Sequence, residues 1–241
     1  MKRPSYLACL LPLLPMTLVL AEDDDFAGQR QSLVAELETY GAFVGNAREP
    51  FSADVLDAID TVPRHELVPD RQVRYAYDNR PLPIGHGQTI SQPYIVALMT
   101  DLLEPEATDV VLEVGTGSGY QAAVLAELVG TVYSIEIIEP LADRSAADLK
   151  RLDYINIVTR LGDGYYGWAD QAPFDAIVVT AAASHVPPPL VQQLKPGGRM
   201  VIPVGSSFMT QQLLLVEKTA DGDVVTRQIG AVRFVPLTGE H

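Results

Sequence analysis

Val110-Val111-Leu112-Glu113-Val114-Gly115-Thr116-Gly117-Ser118-Gly119-Tyr120 decides the reading of this chain. An apolar run of strand character ends in an acidic residue, passes three alternating glycines and opens into the helical pattern 121–129. Glycine at 115, 117 and 119 lets the backbone take φ > 0 and approach a ligand with no Cβ in between. The helix that follows turns its unpaired amide N–H groups and positive dipole end toward whatever fills the turn. A small ligand with a nucleoside and an anionic end is expected there.

The spacing chooses among such ligands. The dinucleotide fingerprint asks for G-x-G-x-x-G, but Tyr120 stands where its third glycine would fall. A nucleophile elbow centred on Ser118 would need glycine at both 116 and 120, and the chain has Thr116 and Tyr120. The pattern E/D-x-G-x-G-x-G is similar to the glycine loop of S-adenosylmethionine (AdoMet) methyltransferases. A second strand, 131–135, leads to Glu136, whose carboxylate can accept hydrogen bonds from both ribose hydroxyls.

Composition bounds the rest. With 241 residues, 47% hydrophobic and 20% charged, the chain can bury a substantial core. The formal net charge of −14 opposes general binding to nucleic acid or an anionic membrane surface. Four scattered histidines and one cysteine support no metal site. His65-Glu66 fails the zinc-protease spacing because Pro69 replaces the second histidine.

At the N-terminus, Lys2 and Arg3 precede a charge-free run, 4–21, closed by Val19-Leu20-Ala21 and followed by Glu22-Asp23-Asp24-Asp25. This is the form of a secretory signal peptide. The run is too short, and too interrupted by Pro12 and Pro15, for a transmembrane helix. Cleavage after Ala21 would remove Lys2, Arg3 and Cys9, leaving 15 basic against 31 acidic residues and no possible disulfide. The expectation is export to the periplasm or medium without stable membrane association; retention of the segment in a cytoplasmic protein is the alternative.

Residues 1–21 are thus expected to be a signal peptide, 22–104 an N-terminal helical and substrate-binding segment, and 105–241 the cofactor-binding core, with 22–241 one structural domain. Two amphipathic helices are read in 26–59, through Leu33, Leu37 and Tyr40 and then Val55, Leu56 and Ile59, with Ser52 capping the second and Gly41 and Gly45 between them. A helix starts at Pro93. Strands are expected at 110–114, 131–135, 155–158, 174–180 and 199–204, and helices at 118–129, 138–152 and 187–194. Such alternation gives a doubly wound α/β fold on a mainly parallel, Rossmann-like sheet with helices on both faces. Two extended runs, 211–217 and 224–235, flank Asp221-Gly222-Asp223 and predict a terminal antiparallel pair.

The segment Tyr77-Asp78-Asn79-Arg80-Pro81-Leu82-Pro83-Ile84-Gly85-His86-Gly87-Gln88-Thr89-Ile90-Ser91-Gln92-Pro93-Tyr94, joined to the glycine loop, closely resembles the protein-L-isoaspartate O-methyltransferase family. Val62-Pro63-Arg64, Gly162-Asp163-Gly164, Gly167-Trp168, Ala172-Pro173-Phe174-Asp175-Ala176-Ile177 and Val232-Arg233-Phe234-Val235-Pro236-Leu237 extend the similarity across residues 30–238. The resemblance implies methyl transfer from AdoMet to the free carboxyl of L-isoaspartyl residues in damaged proteins, with D-aspartyl residues left open. The methyl ester then closes to a succinimide, whose hydrolysis returns some normal aspartate.

By the same resemblance Ser91 is the active-site serine. Thr89, Ile90 and Val235 would meet the substrate. Glu113, Gly115, Thr116, Gly117 and Gly119 would surround the methionine moiety of the cofactor, Glu136 the ribose, and Asp163 and Gly164 the adenine. Thr238 belongs to a C-terminal segment folded over both ligands, and His86 receives no catalytic duty. Arg64, Arg80 and Arg233 are candidates for a local positive patch, or simply for pairing with surface carboxylates. The enzyme is expected to act as a monomer on isoaspartyl peptides. Two other readings stay open: a same-fold AdoMet enzyme acting on another carboxylate or small molecule, and a binding module without turnover.

Overall fold

Leu33 and Leu37, one helical turn apart and buried, press the first helix, α1 (Ala27–Tyr40), against the second, α2 (Ala53–Thr61). The computed structural model describes residues 26–44, 47–206 and 209–239; the expected signal segment and Gly45 lie outside them. Among the described residues no helix is long and apolar enough to cross a membrane. Ser52 caps α2 as expected, its hydroxyl accepting from the Val55 amide at 3.4 Å. Between the two helices, where only glycine punctuation is legible, the chain forms a small antiparallel pair, β1 (Ala42–Val44) with β2 (Ala47–Glu49).

The stretch after α2 is folded throughout. Two 3₁₀ turns, Arg64–Leu67 and Asp70–Tyr75, lead into the hairpin β3 (Leu82–Gly85) and β4 (Gln88–Ile90). Its two-residue loop is His86-Gly87, with φ of 53° and 73°, the pair of left-handed residues that a type I′ turn requires. Helix α3 (Pro93–Leu103) follows with Pro93 in its first turn. The Arg144 guanidinium donates to Ile84 O at 2.9 Å and Arg151 pairs with Glu66 at 2.6 Å, tying this segment to the core.

The core alternates β5 (Val110–Val114), α4 (Tyr120–Ala126), β6 (Thr131–Glu136), α5 (Glu139–Arg151), β7 (Ile157–Leu161), β8 (Phe174–Val179), α6 (Pro188–Gln193) and β9 (Leu194–Val204). β10 (Gln211–Lys218) and β11 (Val224–Val232) complete a seven-stranded sheet of order β11-β10-β9-β8-β5-β6-β7. β9 through β7 run parallel; β10 and β11 are antiparallel, as the Asp221-Gly222-Asp223 turn predicts. Successive residues of a strand face opposite sides, so Leu112, Val114, Ile177 and Met200 join one core layer while Val111, Ala176, Val178 and Val201 join the other with α1, α3 and α4. The strand order reverses beside β5, and a crevice opens there at the carboxyl ends.

Several boundaries differ from the expected ones. β7 begins at Ile157 because Asp153 turns left-handed (φ 59°) and the Asn156 side chain leaves the strand to donate to Ala126 O and Val129 O, at 2.9 and 3.2 Å. β9 reaches back to Leu194 through a bulge that absorbs 195–198; regular pairing resumes at Arg199. α4 starts at Tyr120, since residues 116–119 form the turn itself. β11 stops at Val232 because the Phe234 amide donates to the Gln211 side chain, after which the chain crosses to Ala182.

Asn156 therefore fastens the start of β7 to the end of α4. Asn156→Ala strands two half-buried carbonyls and is expected to lower the unfolding free energy by about 1–3 kcal/mol, with an unchanged m-value in urea titration.

Candidate active site

The turn after β5 is shaped by what surrounds it. Gly115 (φ 100°) and Thr116 both donate to Ile135 O on the neighbouring strand, at 2.8 and 3.2 Å. A Cβ on Gly115 would run into Thr180 Oγ1, whose hydroxyl donates to Gly115 O at 2.7 Å. At Gly119 (φ 86°) an added Cβ would press on Leu149 at 3.1–3.2 Å. The Gly117 amide donates to Glu136 Oε2 at 2.8 Å, and the Ile138 amide to Glu136 Oε1 at 2.9 Å. Both oxygens of Glu136 are thereby fixed, each with a further lone pair to offer.

This turn is one wall of a cavity at the carboxyl ends of the strands. Thr89, Ile90, Ser91, Glu113, Gly115, Thr116, Gly117, Glu136, Gly164, Val235 and Thr238 all line it. Two residues of the expected set do not. Gly119 is the N-cap of α4, and Asp163 caps the following 3₁₀ turn, its carboxylate accepting from the Tyr165 amide at 2.9 Å. The C-terminal segment reaches the cavity through reciprocal backbone bonds: Ala182 N to Val235 O and Leu237 N to Ala182 O, both 2.8 Å. Buried Gln211 holds the approach, accepting from Phe234 N at 2.8 Å.

A second groove adjoins the cavity. Thr89, Ser91, Thr180 and Val235 line both, and Gln92, Thr210, Arg233 and Phe234 continue the groove outward. Three hydroxyl residues therefore stand at the boundary. Thr180 could be placed near the crevice from its strand-end position, but not given this shared role, because its partners are backbone carbonyls 65 and 66 residues away.

The electrostatics are one-sided. The cavity lining holds two acidic side chains, Glu113 and Glu136, and no lysine, arginine or histidine. Such a wall repels phosphate and favours a nucleoside ligand bearing positive charge. Glu113 is fully buried; burial pushes its carboxyl up to about 8, opposed by the hydrogen bond from Ser134 and helped by the nearby Glu136 charge. Since Ser134 donates to Glu113, the Thr116 hydroxyl donates to Ser134, and the glycine turn is tied to both strands.

The expected positive patch divides three ways. Arg80 pairs with Asp78 at 3.0 Å beneath which Tyr75 stacks. Arg64 is wholly buried and so cannot contribute to a surface patch. Arg233 lines the groove and has no ion pair among the described residues. Trp168 packs between Arg160 and Tyr133, away from the cavity. Among the described residues no group of three potential metal ligands exists.

Glu113 also gives a pH dependence. Its folded-state pKa lies above the unfolded value near 4.5, so the native state holds the extra proton between those values and stability falls as pH rises from about 4.5 to 8. Glu113→Gln is expected to flatten that slope and to exceed the parent in stability at pH 8–9, the gap closing below pH 5. Equilibrium denaturation across this range measures it.

Comparison with known proteins agrees with this geometry. A family model for protein-L-isoaspartate(D-aspartate) O-methyltransferase matches residues 29–241. The chain is 58% identical to protein-L-isoaspartate O-methyltransferase 1 of Cupriavidus necator over 99% of its length and 96% of the relative's. Identity is 56% to the corresponding protein of Nitrosospira multiformis, covering 98% and 94%. A solved protein-L-isoaspartate O-methyltransferase superposes with TM-score 0.78 at 30% identity, covering 87% of this chain and 66% of that one. A Plasmodium falciparum homologue crystallised with S-adenosyl-L-homocysteine gives TM-score 0.71 at 26% identity, covering 87% and 98%. A nearly full-length family match, on a chain whose acidic cavity meets a hydroxyl-lined groove, places this protein in the protein-L-isoaspartate(D-aspartate) O-methyltransferase family.

Proposed function

We propose that this chain methylates the free carboxyl of L-isoaspartyl residues in proteins and peptides, with AdoMet as donor and Ser91 as the residue that orients the acceptor. The observation that carries the reading is the boundary of Thr89, Ser91 and Thr180 between a cavity without cations and an open groove. The family match does not favour the alternative of another carboxylate or small-molecule acceptor.

The cavity fits the donor. An acidic lining without cations and a glycine turn suit a cationic nucleoside, whose ribose hydroxyls Glu136 would hold and whose adenine Gly164 would meet. A Cβ on Gly164 would already clash with Val114, so this wall stays flat. When bound, AdoMet supplies an electron-poor methyl on a sulfonium that departs as a neutral thioether.

The acceptor needs no general base. A carboxyl with a pKa of about 4 is ionised at neutral pH, which accounts for hydroxyls rather than a Ser-His-Asp set around it. Ser91 and Thr89 hold the carboxylate by donating to it, leaving a lone pair directed to the cavity. Val235 to Thr238, pinned on Ala182, exclude water from above. Alignment of this kind supplies about 7–11 kcal/mol in favourable cases.

We further propose that the mature enzyme is an exported monomer beginning at Glu22. The basic start, apolar run and small-residue boundary support export, and both walls of the site come from one chain. N-terminal sequencing of the exported fraction, with light scattering for its mass, tests this; an intact Met1 confined to the cytoplasm overturns it.

Paired isoaspartyl and aspartyl peptides test the activity: methyl transfer is expected to the isoaspartyl member alone. Ser91→Ala should lower kcat about 100-fold while S-adenosylhomocysteine affinity stays within about threefold. Glu136→Ala should do the reverse, weakening S-adenosylhomocysteine binding on the order of 10–100-fold, as befits hydrogen bonds to a charged group. Calorimetry and radiolabelled methyl transfer separate the two.

A further inference from the structure

Arg64 is buried completely, and no carboxylate pairs with it among the described residues. Its guanidinium serves backbone instead. Nε donates to Ala76 O at 2.8 Å and Nη2 donates to Ser91 O at 2.7 Å. The same group lies 4.5 Å from the centre of the Tyr120 ring. Tyr120 is the first residue of α4, directly after the glycine turn, and it lines the cofactor cavity. One side chain thus joins the segment before the hairpin, the Ser91 turn and the start of the cofactor-side helix.

The arrangement is costly for mere packing. A buried cation loses its hydration, and an apolar side chain of similar volume commonly stabilises a core as well or better. What the guanidinium adds is a planar fork with fixed donor directions, which a lysine ammonium cannot reproduce. The geometry of the fork is spent on the carbonyl of the residue whose hydroxyl borders both cavity and groove.

We propose that Arg64 is a positioning residue for methyl transfer. It locks the Ser91 turn to the glycine-turn helix and so fixes how far the Ser91 hydroxyl stands from the cofactor cavity. This rests on the assignment of Ser91 made above. Arg64 touches neither ligand; it acts through Ser91.

The test compares Arg64→Met and Arg64→Lys, each alone and combined with Ser91→Ala, with kcat expressed per S-adenosylhomocysteine site counted by calorimetry. That normalisation removes any loss due to unfolded enzyme. Arg64→Met is expected to cut kcat about 100-fold, the scale of an ångström of misplacement, with peptide KM and S-adenosylhomocysteine Kd within about threefold. In the Ser91→Ala background the same change should cost less than about threefold, because the positioned hydroxyl is already gone. A parental kcat per site in Arg64→Met overturns the proposal, and so does a loss undiminished by Ser91→Ala. If Arg64→Met does not fold, Arg64→Lys is judged by the same two comparisons. A parental kcat in Ser91→Ala alone would instead remove the Ser91 assignment, and the Arg64 proposal with it.

Discussion

The carboxylate of Glu136, held by the amides of Gly117 and Ile138, is the constraint on which the site depends. It ends one strand and grips the turn that follows the next, so the glycine segment cannot drift from β6. Ile135 O reinforces the grip by accepting from Gly115 and Thr116. On the other flank the Thr180 hydroxyl closes on Gly115 O. Three adjacent strand ends thereby define one rim, and the shape of the cavity follows from hydrogen bonds between strands rather than from the turn alone.

A rim is not yet an enzyme; the two remaining walls come from opposite ends of the chain. The hairpin β3–β4 and the Ser91 turn are brought in by the N-terminal segment, whose Leu33, Leu37, Leu82 and Ile90 share a core layer with the sheet. The C-terminal residues 235–238 return across Ala182 after β11. The first is anchored to the sheet through buried contacts, the second through backbone hydrogen bonds. Active-site groups placed this way keep their geometry at little entropic cost when ligands arrive.

Much of this was legible in the sequence because it rests on local pattern. Val110–Val114 and the glycines announce a strand and turn, Ser52 a cap, Pro93 a helix start, and Asp221-Gly222-Asp223 a hairpin. What was not legible depends on partners distant in the chain. Asn156 looks like a strand residue until Ala126 and Val129 claim its amide. Arg64 looks like a surface cation until Ala76 and Ser91 claim its guanidinium. Side-chain to backbone bonds of long range leave no periodicity to read.

The charge distribution resolves a conflict in the composition. A chain of net charge −14 repels an anionic acceptor at long range. Screening limits that repulsion, since exposed charges interact weakly beyond about 8 Å at physiological ionic strength. Inside that distance the sides differ in sign: the cavity lining is acidic, whereas the adjoining groove carries Arg233 without an ion-pair partner among the described residues. That difference in sign suits the proposed placement of a cationic donor in the cavity and an anionic acceptor in the groove. The Glu136 carboxylate suits a cationic ligand, whereas Glu113, its carboxyl pushed up to about 8 by burial, is largely protonated at neutral pH and adds little to that attraction. The acidity that looks adverse in the whole chain thus comes down, at the cavity, to one carboxylate held by two backbone amides in a lining without cations.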